Sequence, residues 1–248
     1  MKIKMHLNKS RYQKSQEPFN TTYLYHGTDE ASAMKSLSDG LLPRMERPGN
    51  WERFSSNPQL IYLSDCYAPF FAVVASAKKG GRMAIVEVQA TAQMVKNFLP
   101  DEDYLEQSTR PNLWCGEAEM LRRTEICRKK MGRRSNQWAK SLKGLGTVAH
   151  KGPIGSDFIT RVALIDAKKS WWIKALAETL KLSMTVHHFQ VEFATNLTKL
   201  IFGEDITYRQ LFGSRLGDGD LSLKDQELVS NRDGIEIITN PKAFRLVA

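Results

Sequence analysis

Two short apolar strands flanking one apolar helix, between residues 60 and 90, restrict the fold more than any other feature of the sequence. LIYLS at 60–64 has the length and composition of a buried strand, and RMAIVEVQA at 82–90 alternates and is rich in β-branched residues. CYAPFFAVVASAKK lies between them and is predicted to be a helix, with Asp65 as its N-cap and Pro69 in the first turn, where proline is tolerated. This alternation predicts a sheet with helices packed on it.

The rest of the chain extends the same pattern. Strands are predicted at 23–25, around the Gly-Pro turn of 147–166, and in the segments IEII and FRLV near the C-terminus. Helices are predicted before Gly40, across the basic segment 114–143, and within 171–202. We therefore expect an α+β fold: a basic arm over 1–20, a core over 21–168, and a mainly helical extension over 169–248 that packs on the core or binds a partner.

Composition excludes several classes of protein. With 42% hydrophobic and 25% charged residues, the chain has the balance of an ordinary globular domain. The sequence contains no apolar run of about 18 residues and no apolar leader, so we expect neither a membrane partner nor secretion. The three cysteines have no metal-ligand spacing, which favours a cytoplasmic protein without a metal site.

The net charge of +9 is concentrated in residues 1–167 and especially in the basic segment. Clusters of this kind contact phosphates, and the ring of Trp138 within the segment offers a stacking face for an unpaired base. A solvated helix face is the alternative interpretation. The predicted nucleic-acid-binding residues are Arg122, Arg123, Arg128, Lys129, Lys130, Arg133 and Arg134.

Three motifs occur in a specific order: YLYHGT at 23–28, DGLLP at 39–43 and LIYLSDCYAPFFA at 60–72. In combination they resemble the NAD-binding half of the ADP-ribosyltransferase superfamily, which includes poly-ADP-ribose polymerase-like enzymes, nucleic-acid-modifying toxins and RNA 2′-phosphotransferases. The resemblance covers roughly residues 20–166. It implies a split, mostly antiparallel sheet and NAD as the substrate.

The resemblance also implies roles for individual residues. His26 corresponds to the family histidine that hydrogen-bonds a ribose hydroxyl, and Tyr62 to the tyrosine whose ring stacks on nicotinamide. Gly27 would let the backbone approach the carboxamide, while Ser64 would reach the carboxamide or the phosphates. The full predicted NAD-binding set is His26, Gly27, Thr28, Tyr62, Ser64 and Tyr67.

Most members of the superfamily place a glutamate on a later strand, and here that position is ambiguous. The segment 147–162 resembles that strand but offers His150 instead of a carboxylate. The segment 233–247 carries Glu236 before its Asn-Pro turn. Both remain candidate catalytic residues beside His26 and Tyr62. An acidic cluster of Asp101, Glu102, Asp103 and Glu106 is interpreted as turn and capping groups.

These observations predict an NAD-dependent ADP-ribosyltransferase that modifies a macromolecule, with RNA favoured over single-stranded DNA as the acceptor. By resemblance alone, such an enzyme is expected to be a toxin of a toxin–antitoxin or anti-phage system, with an antitoxin protein as its partner. One alternative from the same superfamily is an RNA 2′-phosphotransferase. An alternative from another class is a catalytically inactive module that binds NAD or nucleic acid.

Overall fold

The computed structural model describes residues 23–45, 56–109, 116–170, 188–212, 228–229 and 232–243. The predicted basic arm, the FRLV strand at 244–247 and the first part of the predicted helical region 171–202 lie outside these residues.

Within the described residues, seven strands form one sheet in which every neighbouring pair is antiparallel. The strands are β1 (Tyr23–Asp29), β2 (Leu60–Ser64), β3 (Met83–Gln89), β4 (Phe98–Pro100), β5 (Thr147–Lys151), β6 (Ile159–Ile165) and β7 (Ile235–Thr239). Their order across the sheet is β4-β5-β2-β1-β3-β6-β7. The predicted α+β class is therefore confirmed. The sequence patterns missed β4, a three-residue edge strand that ends at a proline, as edge strands can.

Helices cover both faces of this sheet. The described helices are α1 (Glu30–Asp39), α2 (Ala68–Lys79), α3 (Ala92–Val95), α4 (Glu102–Thr109), α5 (Glu117–Lys130), α6 (Trp138–Leu145), α7 (His188–Ile201) and α8 (Tyr208–Phe212). A 3₁₀ turn at Gly132–Gln137 links α5 to α6, so the predicted basic helical region is two helices with a kink between them.

The sheet consists of two halves that meet at a narrow junction. Strands β1 and β3 pair from Tyr23 to Asp29, whereas β1 and β2 pair only at Tyr25 and Ser64. One half is therefore β4-β5-β2 and the other is β1-β3-β6-β7. This junction gives the sheet its split form and brings the ends of the two motif-bearing strands close to each other.

A separate hydrophobic core lies on each face of the sheet. One core includes α2, α7 and the paired helices α4 and α5, with Phe70, Leu105 and Leu197 among its buried residues. The other core includes residues of α1, α3 and α6, with Ala33 and Leu142 buried there. Because strand side chains alternate between faces, neighbouring residues of β1 and β2 contribute to different cores.

The start of α2 differs from the sequence-based prediction. Asp65 does not cap the helix, which begins three residues later at Ala68 with Tyr67 as its N-cap. No side-chain hydrogen bond caps the first turn of the helix; the hydroxyl oxygen of Ser64 accepts from the amides of Cys66 (3.1 Å) and Tyr67 (2.7 Å), which precede the helix. Pro69 lies in the first turn, as predicted.

The C-terminal part of the chain is built into the same unit. Helix α7 contributes Phe193, Leu197 and Ile201 to the core that contains α2. Strand β7 pairs with β6 from Ile235 to Thr239, which confirms the predicted IEII strand and places it at the edge of the sheet.

Candidate functional site

His26 and Tyr62 lie beside each other at the junction between the two halves of the sheet. The ring Nδ1 of His26 on β1 donates to the backbone carbonyl oxygen of Tyr62 on β2 at 2.9 Å. Burial lowers the pKa of His26, and the hydrogen bond to the carbonyl only partly offsets this. The imidazole is therefore neutral near pH 7. Since Nδ1 carries the proton, Nε2 is left as a hydrogen-bond acceptor.

The phenol of Tyr62 is held at both of its hydrogen-bonding positions. Its hydroxyl donates to Oε2 of Glu102 at 2.5 Å and accepts from the amide of Asn57 at 3.1 Å. Burial and the negative charge of Glu102 raise the pKa of Tyr62 well above its usual value. The side chain is therefore a neutral, fixed ring, which suits stacking and not proton transfer.

Glu102 is the functional candidate that the sequence patterns missed. It is the first residue of α4, it is only 3% exposed, and its Oε1 also lies 3.2 Å from the amide of Asn57 and 3.4 Å from Nε of Arg128. A carboxylate at a helix N-terminus interacts favourably with the helix dipole. The capping interpretation holds for its neighbour Asp101, whose Oδ1 accepts from the amide of Asp103 at 2.9 Å.

Gly27 packs directly against helix α2 and does not face open space. A Cβ atom at this position would lie 2.0 Å from the carbonyl oxygen of Ala68 in α2. Gly27 is therefore required by the close packing of α2 on β1, on the face of the strand opposite to His26. The next residue, Thr28, is buried, and its hydroxyl donates to Asp29 at 3.3 Å.

Ser64 and Tyr67 are interior residues. The Ser64 hydroxyl donates to the carbonyl oxygen of Gly146 at 2.6 Å while it accepts from two amides at the start of α2, and the side chain is completely buried. Its hydrogen-bonding capacity is therefore already used by the protein. Tyr67 is 3% exposed and packs edge-on against Phe70 at a centroid distance of 6.0 Å. Neither side chain is open to a ligand in this structure.

The two candidates for the third catalytic position lie in different places. His150 on β5 pairs in register with Ile61, donates Nδ1–H to the carbonyl of Gly152 at 3.1 Å and packs edge-on against Phe98. Burial lowers the pKa of His150, so it too is neutral near pH 7. His150 follows Ala149, the residue that pairs with Tyr62, so the side chains of His150 and Tyr62 lie on opposite faces of the sheet.

Glu236 is remote from His26. It lies on β7, which is separated from β1 by β3 and β6, a spacing of about 14 Å across three strand intervals. Its carboxylate accepts from Arg82 at 2.6 Å on an exposed part of the surface. The structure therefore does not bring Glu236 together with the His26–Tyr62 pair, whereas Glu102 contacts the hydroxyl of Tyr62.

The seven predicted nucleic-acid-binding residues divide into two groups. Three of them form ion pairs: Arg122 with Glu119 (2.7 Å), Arg123 with Glu106 (2.7 Å), and Arg128 with Glu102 (3.4 Å) and Glu125 (3.3 Å). Arg123 is buried, so its guanidinium does not belong to a surface patch. Within the part of the chain that the structure describes, no ion pair is formed by Lys129, Lys130, Arg133 or Arg134.

The described residues form neither a metal site nor a membrane-spanning helix. No group of three or more histidine, cysteine, aspartate or glutamate side chains among them is arranged to hold a metal ion. No described helix has the length and apolar character that crossing a membrane requires.

No family model matches the chain, and no curated protein matches it. Among solved structures, it is similar to EcPltA, with a TM-score of 0.34 and 10% sequence identity, over 60% of this chain and 78% of that one.

Proposed function

We propose that this protein transfers ADP-ribose from NAD to a nucleic acid, with RNA favoured over single-stranded DNA as the acceptor. The observation that carries the proposal is the hydrogen bond from His26 to the carbonyl of Tyr62. It joins, at the junction of a split sheet, the two residues that the sequence motifs assign to NAD. The electropositive end of α5 supports the choice of a polyanionic acceptor.

In the proposed reaction, the bond between the ribose carbon and the nicotinamide nitrogen breaks, and its electron pair leaves with nicotinamide. A nucleophilic oxygen or nitrogen of the acceptor forms the new bond to that carbon and loses a proton. Nε2 of His26 accepts a hydrogen bond from a ribose hydroxyl and so orients the sugar. The ring of Tyr62 provides a rigid stacking face for nicotinamide.

Glu102 acts in this proposal as a positioning residue. Its hydrogen bond fixes the rotation of the Tyr62 ring, and its negative charge lies beside the Tyr62 hydroxyl. Arg128, 3.4 Å away, partly offsets that charge. Glu102 therefore replaces Glu236, which lies across the sheet, as the carboxylate associated with the site.

The proposal is tested by incubating NAD and total cellular RNA with the protein and analysing both by mass spectrometry. We expect nicotinamide release and an RNA adduct of about 541 Da, the mass of one ADP-ribose unit. A phosphorylated cyclic ADP-ribose product would instead identify an RNA 2′-phosphotransferase. Absence of NAD turnover with RNA, DNA and protein acceptors would contradict the proposal and leave a binding module.

A pair of substitutions separates the chemistry of His26 from its structural role. In His26→Asn, the side-chain amide can still donate to the Tyr62 carbonyl, but the acceptor at Nε2 is lost. We expect this variant to fold and to lose at least about 100-fold in nicotinamide release, because an oriented acceptor contributes to the transition state. In His26→Gln, a polar group remains near the Nε2 position, and we expect part of the activity to survive.

The pH profile gives a second readout of the same role. Because burial lowers the pKa of His26 below its ordinary value of 6.5, the neutral ring persists as the pH falls through 6.5. As the pH falls, nicotinamide release should therefore decline with a midpoint below pH 6.5. If the wild-type rate declined with a midpoint at or above pH 6.5, and this decline were absent in His26→Asn, the assignment would be contradicted.

A further inference from the structure

A cavity of about 270 Å³ lies between α4 and α5, one helical turn from Glu102. Its volume is slightly below the range of about 300–1,000 Å³ that is typical of sites for whole small-molecule ligands. It is therefore better matched to a phosphate group with part of its sugar than to a dinucleotide such as NAD.

Cations dominate the wall of this cavity. It is lined by Arg122, Arg123, Lys130 and Arg134, with Glu106 as the single carboxylate. The charge of Glu106 is matched by Arg123, to which it is bound at 2.7 Å. The remaining cations give the cavity a net positive charge, and a concave wall of one sign focuses its field on an anion.

The cations differ in how freely they can bind a ligand. Lys130 and Arg134 form no ion pair among the described residues. Arg122 is paired with Glu119, but both side chains are exposed, and such pairs within one helix are weak enough to exchange for a phosphate. Arg123 is fixed in the interior. Three side chains are thus available for a phosphate group.

The frame that carries these side chains is rigid. Two ion pairs, Arg123–Glu106 and Arg128–Glu102, link α5 to α4 at successive turns, and the carboxylate of each is buried. Because Glu102 also binds the Tyr62 hydroxyl, the cavity and the candidate NAD site share helix α4. Glu102 and Glu106 lie four residues apart, which corresponds to about 6 Å along the helix.

We infer that this cavity binds a backbone phosphate of the acceptor nucleic acid and so holds the strand beside the candidate NAD site. The inference rests on the proposed function for the identity of the acceptor. Lys129 and Arg133, the sequence neighbours of Lys130 and Arg134, are exposed and form no ion pair with any described residue. They extend the positive surface beyond one phosphate, which suits a strand better than free inorganic phosphate.

The test is a titration of fluorescently labelled oligouridylate, followed by anisotropy at several salt concentrations. The double variant Lys130→Glu/Arg134→Glu should weaken binding by at least about tenfold. It should also reduce the slope of log K against log salt concentration by about 0.7, the value for one lost phosphate contact on a single strand. The matched control is Lys168→Glu/Lys169→Glu, which makes the same change in net charge at an exposed turn. We expect the control to weaken binding by less than about threefold.

Equal weakening in both double variants would overturn the inference, because binding would then depend on total charge alone. Tighter binding of inorganic phosphate than of oligouridylate, measured by competition, would also overturn it. If the double variant fails to fold, Lys130→Gln serves as a milder test with the same expected direction. NAD turnover by the wild-type protein is measured separately. If oligouridylate binding depends on the cavity but NAD is not turned over, only the proposed function is refuted. If NAD is turned over but oligouridylate binding does not depend on the cavity, only this inference is refuted.

Discussion

Substitution of Gly27 by alanine tests how closely α2 packs on the strand that carries His26. The added Cβ would lie 2.0 Å from the carbonyl oxygen of Ala68, 2.7 Å from the amide nitrogen of Ala72 and 2.8 Å from Cβ of Phe71. Two of these three atoms belong to the helix backbone. They cannot rotate out of the way, so relief requires the strand and the helix to separate.

The size of the effect follows from this geometry. The contact with Ala68 must open by about 1.4 Å to reach the 3.4 Å at which ordinary contact begins. Overpacking a close-packed interior costs about 1–3 kcal/mol, and a backbone obstacle places this site at about 3 kcal/mol. Ala68 and Ala72 are completely buried, so movement of α2 also opens the core. For a chain of this size, the corresponding decrease in Tm is about 6–12 °C.

Thermal unfolding followed by circular dichroism measures this decrease. Gly132→Ala is the matched control, because a Cβ at Gly132 meets nothing within 4 Å and the residue lies in an exposed turn. We expect the control to change stability by less than about 0.5 kcal/mol. A decrease in Tm below about 2 °C for Gly27→Ala would refute the close packing. The glycine would then be explained by approach to a ligand, as the sequence motif first implied.

Two further predictions concern charge. Glu106→Ala leaves the buried Arg123 without its carboxylate and should lower the free energy of unfolding in urea by about 3–5 kcal/mol. The control Glu119→Ala removes an exposed carboxylate and should lower it by less than about 1 kcal/mol. Similar losses in the two variants would contradict the burial of the Arg123–Glu106 pair. Burial opposes ionisation of Asp29, but hydrogen bonds from Lys79 and Ser32 outweigh it and hold its pKa at about 2. Because the folded-state pKa is lowered, this stabilisation is present above about pH 4 and is lost as the pH falls to about 2. At neutral pH the wild type should therefore exceed Asp29→Asn by about 2 kcal/mol in free energy of unfolding, and this difference should disappear between about pH 4 and pH 2.

The strands could be predicted because their signals are local. β2 occupies 60–64, as the apolar run LIYLS indicated, and β3 occupies 83–89 within the alternating segment RMAIVEVQA. Short β-branched runs bounded by turns specify strands without reference to the rest of the chain. The helix cap was harder to predict. Asp65 is a residue type that suits an N-cap, but α2 begins three residues later and its N-cap, Tyr67, makes no side-chain capping hydrogen bond.

The contact of Glu102 with Tyr62 could not be predicted, because it joins residues 40 positions apart. In the sequence, Glu102 belongs to an acidic cluster before an amphipathic helix, which is a common signal for capping. Asp101 shows that this interpretation is right for one member of the cluster. Whether Glu102 faces solvent or the sheet depends on how α4 packs against β2, and the local sequence does not determine that packing.

The basic segment shows why a count of charges overestimates a binding surface. Arg122 is exposed, whereas its neighbour Arg123 is buried in an ion pair with Glu106. The cations without ion pairs among the described residues lie at and just after the C-terminal end of α5. There the negative end of the helix dipole offsets part of the repulsion among them. The C-terminal end of α5 thus stabilises a cluster of like charges that no carboxylate of the described residues neutralises. Binding of a polyanion is therefore most favourable at this end of the helix.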